Sequence, residues 1–422
     1  MAADSGRSAR ARGFAPSEIT VLVNWPVLEQ HASEAAFLWT QRVKAVDASH
    51  YKLKHLGRLD ARLHAHLRGL RVAGRTGWQV AETALGELSP GPMFVAAYLA
   101  FASREARQMY QMLQLALTDV ALERALVGAL EWIELGNVRH ALDQLCASRA
   151  AEYRRIGLTA LMAHRCEVDR ELEEACQDED PTLRELAFRS IGAMKRRELR
   201  HAAEPGLRDP DVYCRFWSGW SLAMHGDAAA AVGAYQLAPA LPTLERTALE
   251  MAMRFGELEW ARSLIRQLAG SPETRREAII AVGIFGDPHT VPWLLDQCQD
   301  PDQARIAGES FSKVTGVDLK YLDLTIEPPA ESDGAASPED AELRWPNAPA
   351  VHDWWVAHRS QFSPGQRYMG GQLISATVAR RVLVEGYQRQ RGGAALEMAH
   401  RSESAVFPIG ARADWQREWL QT

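Results

Sequence analysis

Lysine is almost missing from this chain: six of the 48 basic residues are lysine and the rest are arginine. Long apolar runs are missing too. No stretch reaches 18 consecutive apolar residues, so no membrane span is expected. The five cysteines, Cys146, Cys166, Cys176, Cys214 and Cys298, form no Cys-x-x-Cys pair. That removes the usual zinc and dithiol signatures and leaves small apolar side chains suited to a reducing cytosol. Positive charge is not in excess. The net charge of −6 opposes general nucleic-acid binding, which favours basic domains. Residues 1–16 lack the apolar stretch of a secretory signal, although Arg7, Arg10 and Arg12 give them a faint transit-peptide look. Residues 1–19 read as a disordered tail. Gly-x-Ser-x-Gly, the phosphate-binding Walker loop and His-Glu-x-x-His are all absent. No catalytic residue, cofactor site or metal site is therefore assigned, and the chain reads as a non-enzyme.

What is present is a period. Arg124, Arg155, Arg184, Arg215, Arg246, Arg276 and Arg305 follow one another at gaps of 31, 29, 31, 31, 30 and 29 residues. An interval near 30 over half a chain is the mark of a repeat architecture. Gly136, Gly226, Gly256 and Gly286 run in phase, and glycine just past a helix can take the left-handed conformation that ends it. Asp180-Pro181, Asp209-Pro210, Ser271-Pro272 and Asp300-Pro301 precede the arginines, as capping residues before a first-turn proline. The copies near Arg155 and Arg246 lack a clean Asp-Pro turn. The unit reads as two helices. Asp287 to Gln299 is a short first helix with Val291, Leu294, Leu295 and Cys298 on one face; Pro272 to Phe285 is a second helix. A lone pair cannot bury such a stripe, so neighbours stack.

The pattern resembles HEAT-like repeats, on Asp180-Pro181-Thr182-Leu183-Arg184-Glu185-Leu186-Ala187 and its counterparts. Two roles compete for the arginines: stitching, by bonding acidic caps or carbonyls in their own or the next repeat, and a stripe for phosphates or an acidic partner. Recurrence in phase with the turn favours stitching. That moves the search to the groove lined by the second helices and to the arginine-rich turn near Arg389.

The flanks differ. Val27 to Val46 and His55 to Val72 read as helices, with Gly74 and Gly77 breaking the chain before a third. Residues 327–350 hold five prolines and six acids against one base, which reads as a solvated loop. Beyond it, helices are expected around Ala379 to Val384 and Gly393 to Ala399, with Gln388 to Arg391 between them. The expected fold is all-α: a right-handed α-solenoid of HEAT-like helix pairs. Its parts are a helical N-terminal cap (20–104), repeats (105–326), an acidic Pro-rich loop (327–350) and a helical C-terminal cap (351–422).

A second resemblance covers nearly the whole chain. Glu29 to Trp39, Leu59-Asp60-Ala61-Arg62, His66 to Leu70, Arg305 to Glu309, Thr315 to Leu319, Gly365 to Tyr368, Gln388 to Arg391, Ala394 to Glu397 and Asp414-Trp415-Gln416-Arg417 are similar to an uncharacterised proteobacterial family of HEAT-like proteins. Met369-Gly370 departs from it, where larger aliphatic residues are expected. The family's genes often lie near type VI secretion genes. The resemblance therefore implies an accessory role in effector loading or immunity. Arginine and alanine enrichment also fits a GC-rich bacterial genome.

Candidate chemistry is sparse. His31 and Glu34 share a helix face but Glu29 points elsewhere, short of three converging ligands. His64 and His66 diverge on one helix, so His66 reads as a packed or bonded core residue. Trp217, Trp220 and Trp260 read as core. The candidate partner-contact residues are Arg380, Arg381, Arg389, Arg391, Arg367 and Tyr368, an exposed basic cluster for an acidic partner. The expected function is a non-enzymatic cytoplasmic scaffold or adaptor with a protein partner, such as a secretion component or effector, and with no membrane and no nucleic acid. The alternative is a HEAT-like DNA glycosylase or nucleic-acid-binding repeat protein, which needs a positive groove flanked by tryptophans around one buried carboxylate.

Overall fold

The computed structural model describes residues 24–329, 337–402 and 404–421. The tail expected at 1–19 lies outside them. The fold is all-α: among the described residues there are twenty-two α-helices and two short hairpins.

Four helices come first: α1 (Trp25–Asp47), α2 (Leu53–Val72), α3 (Arg75–Ala84) and α4 (Pro90–Ser103). Seven pairs follow, each a first and a second helix. They are α5 (Ala106–Ala116) with α6 (Val120–Trp132), α7 (Leu135–Cys146) with α8 (Ala151–Ala163), α9 (Asp169–Ala175) with α10 (Pro181–Ala193), α11 (Arg200–Ala203) with α12 (Val212–Met224), α13 (Ala228–Gln236) with α14 (Glu245–Phe255), α15 (Leu258–Ala269) with α16 (Arg275–Phe285), and α17 (Val291–Gln297) with α18 (Ala304–Thr315). The second helices pack in one row, α6 on α8 on α10 and so on to α18.

The row starts earlier than the boundary at residue 105, because α4 packs on α6 as a second helix does. Every residue from Met93 to Phe101 in α4 is buried. A helix apolar on all sides has no stripe, and α4 carries no ladder arginine, so the period could not show it. One apolar core runs from Leu28 through Phe255 without a break between the N-terminal helices and the repeats.

The arginine ladder is stitching, but its register is off by one in several copies. Arg184 donates to both carboxylate oxygens of Asp209 at 2.8 Å and to the Asp178 and Glu179 carbonyls at 2.8 and 3.0 Å. Arg215 donates to the carbonyls of Asp209 and Pro210 in the same way. In the preceding copy the equivalent residue is Arg154, not Arg155. It bonds the Ser148 and Arg149 carbonyls and the Asp178 carboxylate. Arg275, not Arg276, faces Asp300 across 3.8 Å. The structural positions are thus 154, 184, 215, 275 and 305. One residue on a helix is a turn of about 100°, so each neighbouring arginine has another task. Arg155 pairs with Glu123; Arg276 pairs with Asp340; Arg124 and Arg246 are exposed.

The glycine markers split likewise. Gly226 and Gly286 have φ of 98° and 81°, as expected of left-handed turns. Gly256 ends α14 in an extended conformation, and Gly136 lies inside α7. Gly77 does not break the chain but sits in α3, against the Leu70 backbone.

The acidic segment is not a free loop throughout. β1 (Thr325–Ile326) pairs antiparallel with β2 (Trp345–Pro346), and α19 (Ala348–His358) begins before residue 350. Asp340 is buried against Arg276, and Arg305 donates to the Ala341 carbonyl at 2.7 Å. After β3 (Tyr368–Met369) and β4 (Gln372–Leu373) come α20 (Ala376–Glu385), α21 (Gln388–Arg401) and α22 (Ala413–Gln421). Residues 388–391, expected between helices, form the first turn of α21.

The C-terminal segment lies across the C-terminal ends of the second helices, where backbone carbonyls lack helical partners. Arg412 donates to the Trp132 carbonyl of α6, and the Val406 amide donates to Ala193 of α10. Arg367 donates to Arg254 of α14 and Phe285 of α16; the Gly370 and Gly371 amides donate to Lys313 and Val314 of α18. The Gly-rich stretch 365–371 is therefore a cap for helix ends. Its approach is so close that a Cβ on Gly286 would collide with the Tyr368 carbonyl.

Candidate functional site

That placement corrects the exposed basic cluster: of its six residues only Arg380 is exposed, whereas Tyr368, Arg381 and Arg389 line the cleft described below. Arg391 is fully buried and donates to Leu383, Gln388 and Gln416. Burial pushes it down to about 10, and all three acceptors are uncharged. Tyr368 is buried. Arg367 reaches Glu397 at 3.1 Å; Arg381 caps the Gly370 carbonyl; Arg380, though exposed, holds the Leu420 carbonyl. Arg389 donates to the Asp47 and Glu339 carbonyls and lies 3.5 Å from Glu309. These arginines hold the C-terminal segment in place. Sequence reasoning read them as solvated because polar spacing on a short helix looks the same in either role.

What remains open is a cleft of about 1080 Å³ between the α1–α2 turn, the flanks of α14 and α18, the segment 339–344 and the start of α21. This is the groove of the second helices. Its floor carries two matching stripes at four-residue spacing, which sets side chains on one helix face. On α14 they are Arg246, Glu250 and Arg254; on α18, Arg305, Glu309 and Lys313. Between them lies the apolar flank of α16 at Gly283 and Ile284.

The stripes are buried enough for the charges to act strongly on one another. Burial pushes the Glu309 carboxyl up, but Lys313, Arg389 and Arg246 together hold it below its ordinary value. Glu250 is lowered by Arg254 and Arg246 against the same burial effect. Burial lowers the Lys313 ammonium, with Glu309 at 3.1 Å opposing and Arg246 adding to the fall. Behind the floor, Arg254 bridges Glu250 at 2.8 Å and the fully buried Glu397 at 3.2 Å. Burial also pushes the Glu397 carboxyl up, and Arg367, Arg254 and Arg401 outweigh it.

The lining holds nine arginines and lysines against seven carboxylates. Five of those carboxylates are already engaged. Glu250 and Glu309 pair as above, Asp318 accepts from the Tyr387 hydroxyl at 2.9 Å, Glu342 meets His50 at 3.1 Å and Glu339 meets Arg276 at 3.6 Å. Arg246, by contrast, has no hydrogen bond or ion pair among the described residues. The cleft lining therefore has a modest excess of positive charge.

Comparison with family models, with curated proteins and with solved structures finds no match. The chemistry rests on the geometry alone.

Other candidates fall away from this cleft. His31 and His66 bond each other through their Nδ1 atoms at 2.9 Å, with Glu29 and Glu34 taking no part in that bond. Among the described residues no group of three histidines, cysteines or carboxylates could hold a metal ion. Trp217 and Trp220 are buried against each other, with Arg189 over Trp217, and Trp260 packs on Tyr235. None of the three lines this cleft. No helix among the described residues is long and apolar enough to cross a membrane.

Glu250, Glu309 and Lys313 were missed from the sequence. The signal was there, in the repeated plus–minus–plus spacing on two second helices. It was masked because i, i+4 pairs of this kind usually decorate a solvated face.

Proposed function

We propose that the protein is a non-enzymatic scaffold or adaptor that binds another protein. The observation that carries this reading is the charge-striped cleft, open on one side and walled by several elements. It offers long, many-residue contact of the kind a helical-repeat stack gives to a protein partner. The resemblance read from the sequence, to a family encoded near type VI secretion genes, extends the proposal to a cytoplasmic partner of that machinery, in effector loading or immunity. Affinity purification from native cells after crosslinking is the test. A stable protein partner crosslinked to the cleft rim is expected; nuclease or glycosylase activity with no partner would overturn the proposal.

A further inference from the structure

The chain itself contains a segment of the chemistry that this cleft selects. Residues 339–343, Glu-Asp-Ala-Glu-Leu, run along the rim in the grip of three arginines. Arg276 takes the Asp340 carboxylate, and Arg305 donates to the Ala341 carbonyl at 2.7 Å and more distantly to Asp340 and Leu343 at 3.4 Å. Arg389 holds the Glu339 carbonyl at 2.6 Å. At earlier rungs of the ladder the arginine finds its acid in the next repeat, as Arg184 finds Asp209. Beyond α18 no further helix pair follows, and the acidic segment takes that place. The segment is held as a tight turn, a 3-10 turn over Pro338–Asp340 closed by the Leu343 amide on the Asp340 carbonyl, and the rim reads it by both a carboxylate and carbonyls.

The inner half of the cleft carries the same arginine-rich chemistry, with Arg246 exposed and making no hydrogen bond or ion pair among the described residues. Arg246 acts on Glu250 and Glu309 only through space, which leaves its own hydrogen-bond donors open, and Ile284, Val317 and Met369 supply apolar lining in the same cleft. We propose that this half of the cleft binds an acidic peptide segment of a partner, with Arg246 as the primary carboxylate contact and the apolar wall taking an intervening aliphatic side chain. The proposal rests on the protein-binding reading above and names the chemistry of the partner. A peptide fits better than a nucleic acid because the cleft offers carboxylates as well as cations, and Lys52 already lies over the Tyr387 ring.

The probe is a fluorescein-labelled peptide carrying the 339–343 sequence twice, titrated into the full chain and followed by anisotropy. Saturable binding that weakens with salt is expected. Arg246→Glu should weaken it about tenfold or more, the worth of one charge-assisted hydrogen bond. Arg246 makes no hydrogen bond in the fold, but its charge favours the ionised Glu250 and Glu309, so Arg246→Glu should melt somewhat below the wild type and Arg246→Gln closer to it. Both should stay folded by circular dichroism, and Arg246→Gln should also bind more weakly than the wild type. Arg124→Glu, an exposed arginine outside the cleft, should bind as the wild type does. The proposal is overturned by absence of saturable binding, by unchanged binding in Arg246→Glu, or by equal binding of the Gln/Asn version of the peptide. Displacement by a single-stranded oligonucleotide at lower concentration than by unlabelled peptide would also overturn it. A native partner captured equally well by Arg246→Glu would leave the scaffold reading standing and remove only this assignment.

Discussion

At the residue scale, a slip of one position decides what an arginine does. Arg184 and Arg124 were equal members of the period, yet Arg184 has four hydrogen bonds and Arg124 is exposed. Removing Arg184 leaves Asp209 and two carbonyls without their donor. Arg184→Ala should therefore lose about 2–3 kcal/mol in urea denaturation, against about 0.5 kcal/mol or less for Arg124→Ala. Equal losses would dismiss the distinction between stitching and surface positions. A second residue-scale effect concerns Glu131, whose carboxyl burial pushes up to about 7, with Arg42 opposing. Its folded value lies above its unfolded one, so the folded state holds the proton more tightly. The stability this contributes is full at pH below about 4.5 and is lost as pH rises through 7. Glu131→Gln removes the titration, so it should melt near the wild type at pH 5 and above it at pH 8. A variant that melted lower at pH 8 would contradict the sign.

At the element scale, capping connects pieces that are far apart in sequence. Helix C-termini leave carbonyls unpaired, and here one segment satisfies those of several second helices in turn. The loop 365–371 can do so at α16 and α18 only because Gly286, Gly316, Gly370 and Gly371 have positive φ and no Cβ at the contact. Gly286→Ala would meet both the φ of 81° and the Tyr368 carbonyl. It should cost ~2 kcal/mol or more in thermal or urea unfolding. Gly233→Ala is the control, since it lies in α13 with open space around it, and it should be neutral or slightly stabilising. The acidic segment shows the same principle. Its composition reads as loop, and it is docked because Arg276 and Arg305 reach it from helices more than thirty residues earlier in the chain.

At the scale of the whole molecule, the first and last described helices meet. Arg42 of α1 donates to Asp60 of α2 at 3.1 Å and to the Gly410 and Ala411 carbonyls at 2.6 and 2.7 Å. Asp60 in turn accepts the Ala413 amide at 2.7 Å, and α22 packs on α2. A linear stack of repeats can fray from either end, whereas this closure ties the first helices to the last. Arg42→Met leaves Asp60 buried with half its partners. It should cost about 3–5 kcal/mol, the usual result of removing one member of a buried pair. Hydrogen exchange should show α1, α2 and α22 losing protection together while α10 and α12 keep theirs. Loss confined to α22 would mean that the closure does not couple the ends.

The amino-acid sequence determined the helical class, the thirty-residue unit, the Asp180 cap and the left-handed turns at Gly226 and Gly286. Each depends on neighbours a few residues away, where helical period and turn chemistry are local rules. It also placed α1, α2 and α16 to within a few residues. The tertiary structure decided where the C-terminal segment lies, which of two adjacent arginines stitches the stack, and which charges are left over. Arg391 and Arg246 show why. Both are arginines on polar stretches, and only the packing of distant helices makes one an uncharged-acceptor hub in the core and leaves the other facing an open cleft.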